Sequence, residues 1–319
     1  MAVAVALFIL GALYGERLLQ RLSAWRSPAA PVTSAAKDKR PPAVAKSPPK
    51  PTPPRPASAS EPAPAPKAGA APAGTANTLA DAQAVSAQPR ARVAIVIDDL
   101  GRDVAAIEKL TAMLSRAGNV QLSWAVLPYE SRTAEVVEAL RRHGAEVLLH
   151  LPMDPEGTAD PGPGALTTAM SKGELAAATA AALAAVPGAV GVNNHMGSKL
   201  SSDRAAMTAI LGEVRREGRY FLDSRTTAES VGFEVARELG IAAANRDLFL
   251  DDVAERGAVA AQFAKLLARA RERGAAIAIG HPHPTTWAVL EEEIPRAVAA
   301  GFEFVPVSYL LERSEELPE

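Results

Sequence analysis

The 319-residue chain contains no cysteine, few aromatics (4%), and no long stretch in which basic residues predominate after residue 90. Without cysteine there are no disulfide scaffolds, thiolate nucleophiles or Cys-ligated zinc, although an oxidising compartment stays compatible. Three phosphate and acyl-transfer signatures are missing as well: G-x-G-x-x-G, the Walker A loop and the G-x-S-x-G elbow. Charge is unevenly shared. Residues 1–90 hold 11 Lys/Arg and 4 Asp/Glu, a surplus of +7, so the stated −2 leaves −9 for residues 91–319. An acidic body argues against nucleic acid as a partner, because phosphate contacts need clustered Lys and Arg.

Proline is concentrated rather than scarce: 15 of the 26 fall between Ser27 and Arg90. There the chain is Pro, Ala, Ser, Lys and Thr, too poor in large apolar groups to offset ordering entropy, and residues 27–90 are expected to form a disordered linker with polyproline II character. Ahead of it, residues 1–14 carry no charge, and Glu16 and Arg17 end the run. Fourteen helical residues span roughly 21 Å, short of a ~30 Å hydrocarbon core. Residues 1–26 are therefore expected to be a signal-like segment or membrane anchor with a basic flank. The arginines Arg17, Arg21 and Arg26 follow the apolar run, which opposes the usual charge placement for export.

From Arg92 onward short apolar runs alternate with helix-period segments. The runs are 93–97, 122–127, 146–151, 189–193, 220–224, 241–245, 275–280 and 302–307. Between them, Ser131 opens and Gly144 closes one helix, and Ser171 with Glu174 makes a capping box ahead of an Ala-rich one. Gly218, Gly240, Gly274 and Gly301 each stand after a helix and before a strand. Wholly apolar strands separated by helices are parallel strands buried on both faces. The fold class expected for 91–319 is α/β, a (β/α)7-8 barrel or a close relative, with a doubly wound open sheet as its competitor.

The strands end in chemistry-bearing residues: Asp98-Asp99, His150, Asn193-Asn194-His195, Asp223-Ser224, Asn245-Arg246-Asp247 and His281-Pro282-His283. Parallel barrels collect their active sites at these carboxyl ends, and four of the five histidines sit there. Asp98 and Asp99 point to opposite sides of an extended strand, so a shared role needs a bend, which Gly101 can permit. His150 and His195 are candidate ligands. Asp154, four residues past His150, is either a further oxygen ligand or a turn residue before Pro155. His281 and His283 share one side of a proline-stiffened segment, and the residues alone leave open which of them acts. Asn194, Asp223 and Arg225 could bind substrate or orient imidazoles, or could serve only the barrel rim. His143 is read as structural, at a helix end where a cation suits the dipole. Trp124 and Trp287 are either core or sugar-stacking residues.

Taken together, VIDDLG, HLPMDP, NNHMGSKL, FLDSRT and GHPHP, in this order over residues 92–312, resemble the divergent branch of the NodB-homology polysaccharide deacetylases. The resemblance implies a distorted (β/α)7-8 barrel of the NodB-homology type, a hydrolase that removes acetyl groups from N-acetylated sugars with a divalent metal. By position Asp98 matches the family's catalytic base, Asp99 its metal carboxylate, His150 its first metal imidazole and His281 the late histidine that assists the leaving group. Two departures stand out. The second metal histidine, usually four residues after the first, is Asp154 here, and Asn193-Asn194-His195 replaces an Arg-Pro loop. His195 is taken to supply the missing imidazole, making an Asp99, His150, His195 triad.

Such a triad suits zinc or a similar ion and leaves coordination positions open. With neither cysteine nor a serine elbow, direct attack by water is expected. The substrate implied is an acetylated glycan or peptidoglycan-like polymer, and the domain is expected in the periplasm or cell envelope, tethered or secreted through its apolar front. A non-catalytic glycan-binding or regulatory envelope protein is the alternative. A metal phosphoesterase is the third class, and it would want more carboxylates and a basic residue at the site.

Overall fold

Strict alternation along the first strand organises the molecule. A computed structural model of the chain describes residues 90–314; the expected anchor (1–26) and nearly all of the expected linker (27–90) lie outside the described residues. In β1 (Arg92–Leu100), Val93, Ile95 and Ile97 face the surrounding helices, and Ala94 and Val96 face the inside of the curled sheet. Successive side chains on a strand point to opposite faces, so one strand feeds two cores.

The remaining elements follow as strand–helix units. They are α1 (Val104–Arg116), β2 (Ser123–Val126), α2 (Thr133–Arg142), β3 (Glu146–Met153), α3 (Lys172–Ala185), β4 (Gly191–Met196), a 3-10 turn at Leu200–Ser202, α4 (Arg204–Arg216), β5 (Tyr220–Asp223), α5 (Gly232–Glu238), β6 (Ala243–Asn245), β7 (Leu248–Phe249), α6 (Arg256–Arg273), β8 (Ala275–Gly280), α7 (Pro284–Ala299), β9 (Glu303–Phe304) and α8 (Val307–Ser314). Every ladder is parallel, in the order β6-β5-β4-β3-β2-β1-β8-β7, with β9 beside β1. The two ends of this path, β6 and β7, are consecutive in the chain and share no ladder, so the barrel is split at that seam. Arg246 bridges the split: its guanidinium donates to the Ser224 and Arg225 carbonyls (2.7 and 2.9 Å) and lies 3.6 Å from the centre of the Phe249 ring.

The inner core is narrow: Ala94, Val96, Ala125, Leu148, Tyr220, Leu222, Ile277 and Ile279 line it, and Val307 and Leu311 of α8 plug its amino-terminal end. The larger outer core lies between the strands and the helices, where Trp124 is buried among aliphatic neighbours and so is a packing residue. The expected capping box at Ser171–Glu174 opens α3, and Gly274 ends α6 at φ 83°, a conformation only glycine adopts cheaply. α2 begins at Thr133, with Arg132 rather than Ser131 at the N-cap position and no side-chain cap, and the Thr133 hydroxyl donates to the Leu127 carbonyl at 2.7 Å. His143 pairs through Nε2 with Glu108 at 2.7 Å on the surface. Among the described residues no helix is long and apolar enough to cross a membrane.

Candidate metal centre

The inward-facing set continues past the hydrophobic residues to the carboxyl ends of the strands. Ala94 and Val96 lead to Asp98, Leu148 to His150, Leu222 to Ser224, and Ile277 and Ile279 to His281. On β4, Asn193 and His195 share this parity, with Asn193 opposite His150 in the ladder. Asp99 has the wrong parity for the interior. It gets there because β1 breaks register between Ile97 and Leu100 and Asp99 takes φ 58°. The bend expected of Gly101 is thus made first by Asp99 itself. Gly101, at φ 140°, completes it where a Cβ would meet Glu130 Cβ at 2.7 Å.

Three side-chain atoms then converge. Asp99 Oδ1 lies 3.1 Å from His150 Nε2 and 2.8 Å from His195 Nδ1, and the two ring nitrogens are 3.1 Å apart. Asp98 Oδ2 stands 3.5 Å from the same His150 Nε2. Asn193 is fully buried behind them: its amide NH2 donates to both Asp98 oxygens (2.9 and 3.1 Å), and its Oδ1 is 2.9 Å from His150 Nδ1. A carboxylate can only accept, so the amide orientation is determined, and His150 must donate from Nδ1. That leaves the Nε2 lone pair of neutral His150 facing Asp99 and His195. Single protons cannot satisfy three mutual contacts of this length, whereas one cation at about 2.0–2.2 Å from each donor can. Two imidazoles and a carboxylate are a donor set that suits zinc and similar ions.

The electrostatics follow from burial and these neighbours. Burial raises the Asp98 carboxyl above its ordinary range, against the lowering effects of His150, His281 and Asn193. Burial would also raise Asp99, but hydrogen bonds and charge from His150 and His195 outweigh it and hold Asp99 well below the ordinary range. For His150, burial favours the neutral ring, and the charges of Asp98 and Asp99 overcome it to raise its proton affinity.

A family model described as divergent polysaccharide deacetylase matches residues 95–311. The chain belongs to that family. It is similar to the uncharacterized protein YibQ of Escherichia coli K12 (36% identity over 64% of this chain and 62% of that protein) and to an uncharacterized protein of Haemophilus influenzae (35% identity over 63% of this chain and 70% of that one). The match therefore spans less than two thirds of the Escherichia coli protein. Among solved structures, the uncharacterized protein ATU2773 of Agrobacterium tumefaciens shares the fold, with a TM-score of 0.64 at 23% identity over 70% of this chain and 91% of that one.

The remaining candidate residues of the chain take different places. His281 donates from Nδ1 to Asp251 Oδ1 at 2.9 Å, while Asp251 Oδ2 accepts from the His281 backbone N–H and the Thr286 hydroxyl. Burial would lower His281, but the Asp251 hydrogen bond and the charges of Asp98, Asp251 and Asp99 raise it to about 9. His283 is exposed and joins no hydrogen bond to Asp251; it precedes α7. A cleft of about 520 Å³ runs from Asp99 past His281 and His283 to Trp287.

Asp223 and Asn194 have outward parity and act on loops. Asn194 donates to the Met196 carbonyl (2.8 Å) and accepts from the Ser224 N–H (2.9 Å), clamping the turn that presents His195. Asp223 accepts from Arg225 N, Ser230 Oγ and Phe233 N, which secures the start of α5. Arg225 itself donates to the Ala228 carbonyl at 3.2 Å. Asp154 stays outside the cluster, engaged by Lys199 at 2.9 Å and by Thr168. Asp99, Met196 and Arg225 are the non-glycine residues with positive φ among those described, and all three stand at carboxyl ends of strands around the site. Strain of this kind persists where surrounding contacts over-determine it. Asp251, hidden in the run LFLDD, is not among the residues the sequence points to; Asn193 stands among the strand ends there without a role of its own, although its inward parity follows from alternation.

Proposed function

We propose that this chain is a metal-dependent hydrolase that removes acetyl groups from an N-acetylated glycan of the cell envelope. The observation that carries the reading is the convergence of Asp99, His150 and His195 beside a buried carboxylate and an aspartate-held histidine. A divalent ion such as zinc, held by those three, would polarise the acetyl carbonyl and lower the pKa of water from ~15.7 towards ~7.

The remaining work falls to the chain. Asp98, whose proton affinity is raised by burial, accepts the proton released as water attacks the amide carbon. Asn193 keeps both of its oxygens oriented while fixing the His150 tautomer. His281, protonated near neutral pH and aligned by Asp251, donates to the sugar nitrogen as the C–N bond breaks. The products are acetate and the free amine. Trp287, lining the cleft, offers an apolar face for a sugar ring.

An envelope location belongs to the same proposal, supported by the uncharged residues 1–14 and the proline-rich stretch that separates them from the barrel. Cell fractionation with an antibody to the barrel tests it; a wholly cytosolic chain would count against it.

The direct test loads the purified full chain with zinc and measures acetate release from chitin oligomers and peptidoglycan fragments. Release that falls at least about a hundredfold in His150→Ala and Asp98→Asn supports the hydrolase. Glycan binding without acetate release from the zinc-loaded chain would instead favour a binding protein and overturn the reading.

A further inference from the structure

A second convergence of donors lies on the other side of the cleft. Asp251, His281 and His283 each offer one ligand atom, and these atoms fall within 4.8 Å of one another. Two elements bring them together. Asp251 follows β7, and the two histidines follow β8, which pairs with β7 through Phe249 and Ile279. The segment His281–Pro284 is stiff. Pro282 and Pro284 restrict φ, the His283 N–H donates to the His281 carbonyl at 2.8 Å, and the rings sit 5.9 Å apart between centroids at 39°. Asp251 is buried and His283 is open to solvent, so the cluster has an anchored base and an accessible mouth.

We propose that Asp251, His281 and His283 form a second, weaker divalent-cation site whose occupation switches the chain off. The donor set, two imidazoles and one carboxylate, matches the first cluster and suits the same borderline ions. It is the weaker of the two for local reasons. An ion must share Asp251 with the His281 hydrogen bond of 2.9 Å, an exposed His283 must be ordered, and the amino-terminal end of α7 disfavours positive charge beside it. Binding needs nothing from the proposed function. Inhibition rests on it, because the second ion would engage the imidazole that serves there as proton donor.

Equilibrium dialysis of the full chain against zinc, with metal analysis, tests the site. The wild type is expected to bind two ions, the second at least tenfold more weakly. His283→Ala should bind one, His283→Asp should regain the second, and His195→Ala should lose only the tighter ion. His283 is exposed, so its replacement leaves the core intact, and the Asp variant distinguishes lost ligation from lost fold. A wild type that binds one ion, lost in His195→Ala and unaffected in His283→Ala, overturns the second site and leaves the first standing. One ion lost in His283→Ala but retained in His195→Ala supports the second site and removes the ground for the proposed hydrolase. Where acetate release is measurable, zinc beyond the first equivalent should suppress it, and His283→Ala should raise the half-inhibiting concentration at least tenfold; an unchanged concentration overturns the switch.

Discussion

At Asp99 one backbone dihedral decides what a carboxylate can do. With extended geometry it would face the helices, as Ile97 does; at φ 58° it meets two imidazoles. Asn193 is the counterpart on β4, a neutral residue that ties Asp98 to His150. Replacing it with alanine removes the amide partner of both the buried Asp98 carboxylate and His150 Nδ1, and Asn193→Ala should lose about 2–6 kcal/mol in urea denaturation, at roughly 1–3 per unsatisfied group. At Asp251 the effect is one of proton affinity. His281 is raised to about 9 from an ordinary 6.5, so the stability it contributes is complete below that ordinary value and fades as pH rises through about 9. Asp251 is lowered from 3.8, so its share is present above 3.8 and fades as pH falls through the lowered value. Asp251→Asn should therefore move the alkaline limb of acetate release down towards the ordinary imidazole range. An NMR titration of the His281 ring checks the same shift without relying on turnover, and a limb that stays put would show that His281 is not the acid.

The strand–helix alternation was legible at the scale of elements because fully buried parallel strands are apolar throughout, and the glycines between them are helix caps. Eight of the nine strands coincide with the apolar runs; β7, two residues long, offers no periodicity to read. Parity was equally available, yet it sorts the strand-end residues only once the bulge in β1 is known. Asn194 and Asp223 fall on the outward side and became loop clamps for that reason. The Ala-rich α3 depends on its start more than the other helices, as its apolar residues mark no distinct face and its capping box satisfies the first turn. Ser171→Ala should cost about 1 kcal/mol, read as a lower denaturation midpoint, with zinc stoichiometry unchanged.

Over the whole molecule, a cation shared by three distant segments would couple folding to metal. Asp99, His150 and His195 come from β1, β3 and β4, which are far apart in the chain and meet only when the barrel is formed. A ligand that binds only the folded state at a hundred times its Kd adds about 2.7 kcal/mol, which for a body of this size raises Tm by roughly 5–10 °C. Zinc should produce that rise in differential scanning calorimetry, chelation should reverse it, and His150→Ala should abolish it. No shift in the wild type would argue against a metal centre.

Order along the chain was sufficient to identify the barrel and the rim where its polar residues gather, since burial on both faces leaves an apolar signature and the polar residues stand where each strand stops. The motifs in their order were likewise sufficient for the family. Only the tertiary structure decided which strand-end residues meet. That choice depends on a register break and a left-handed residue in β1, on an amide whose orientation follows from a carboxylate 95 positions away, and on an aspartate after β7 that has no local pattern to reveal it. Each is a contact between segments remote in sequence, and no local propensity encodes such a contact.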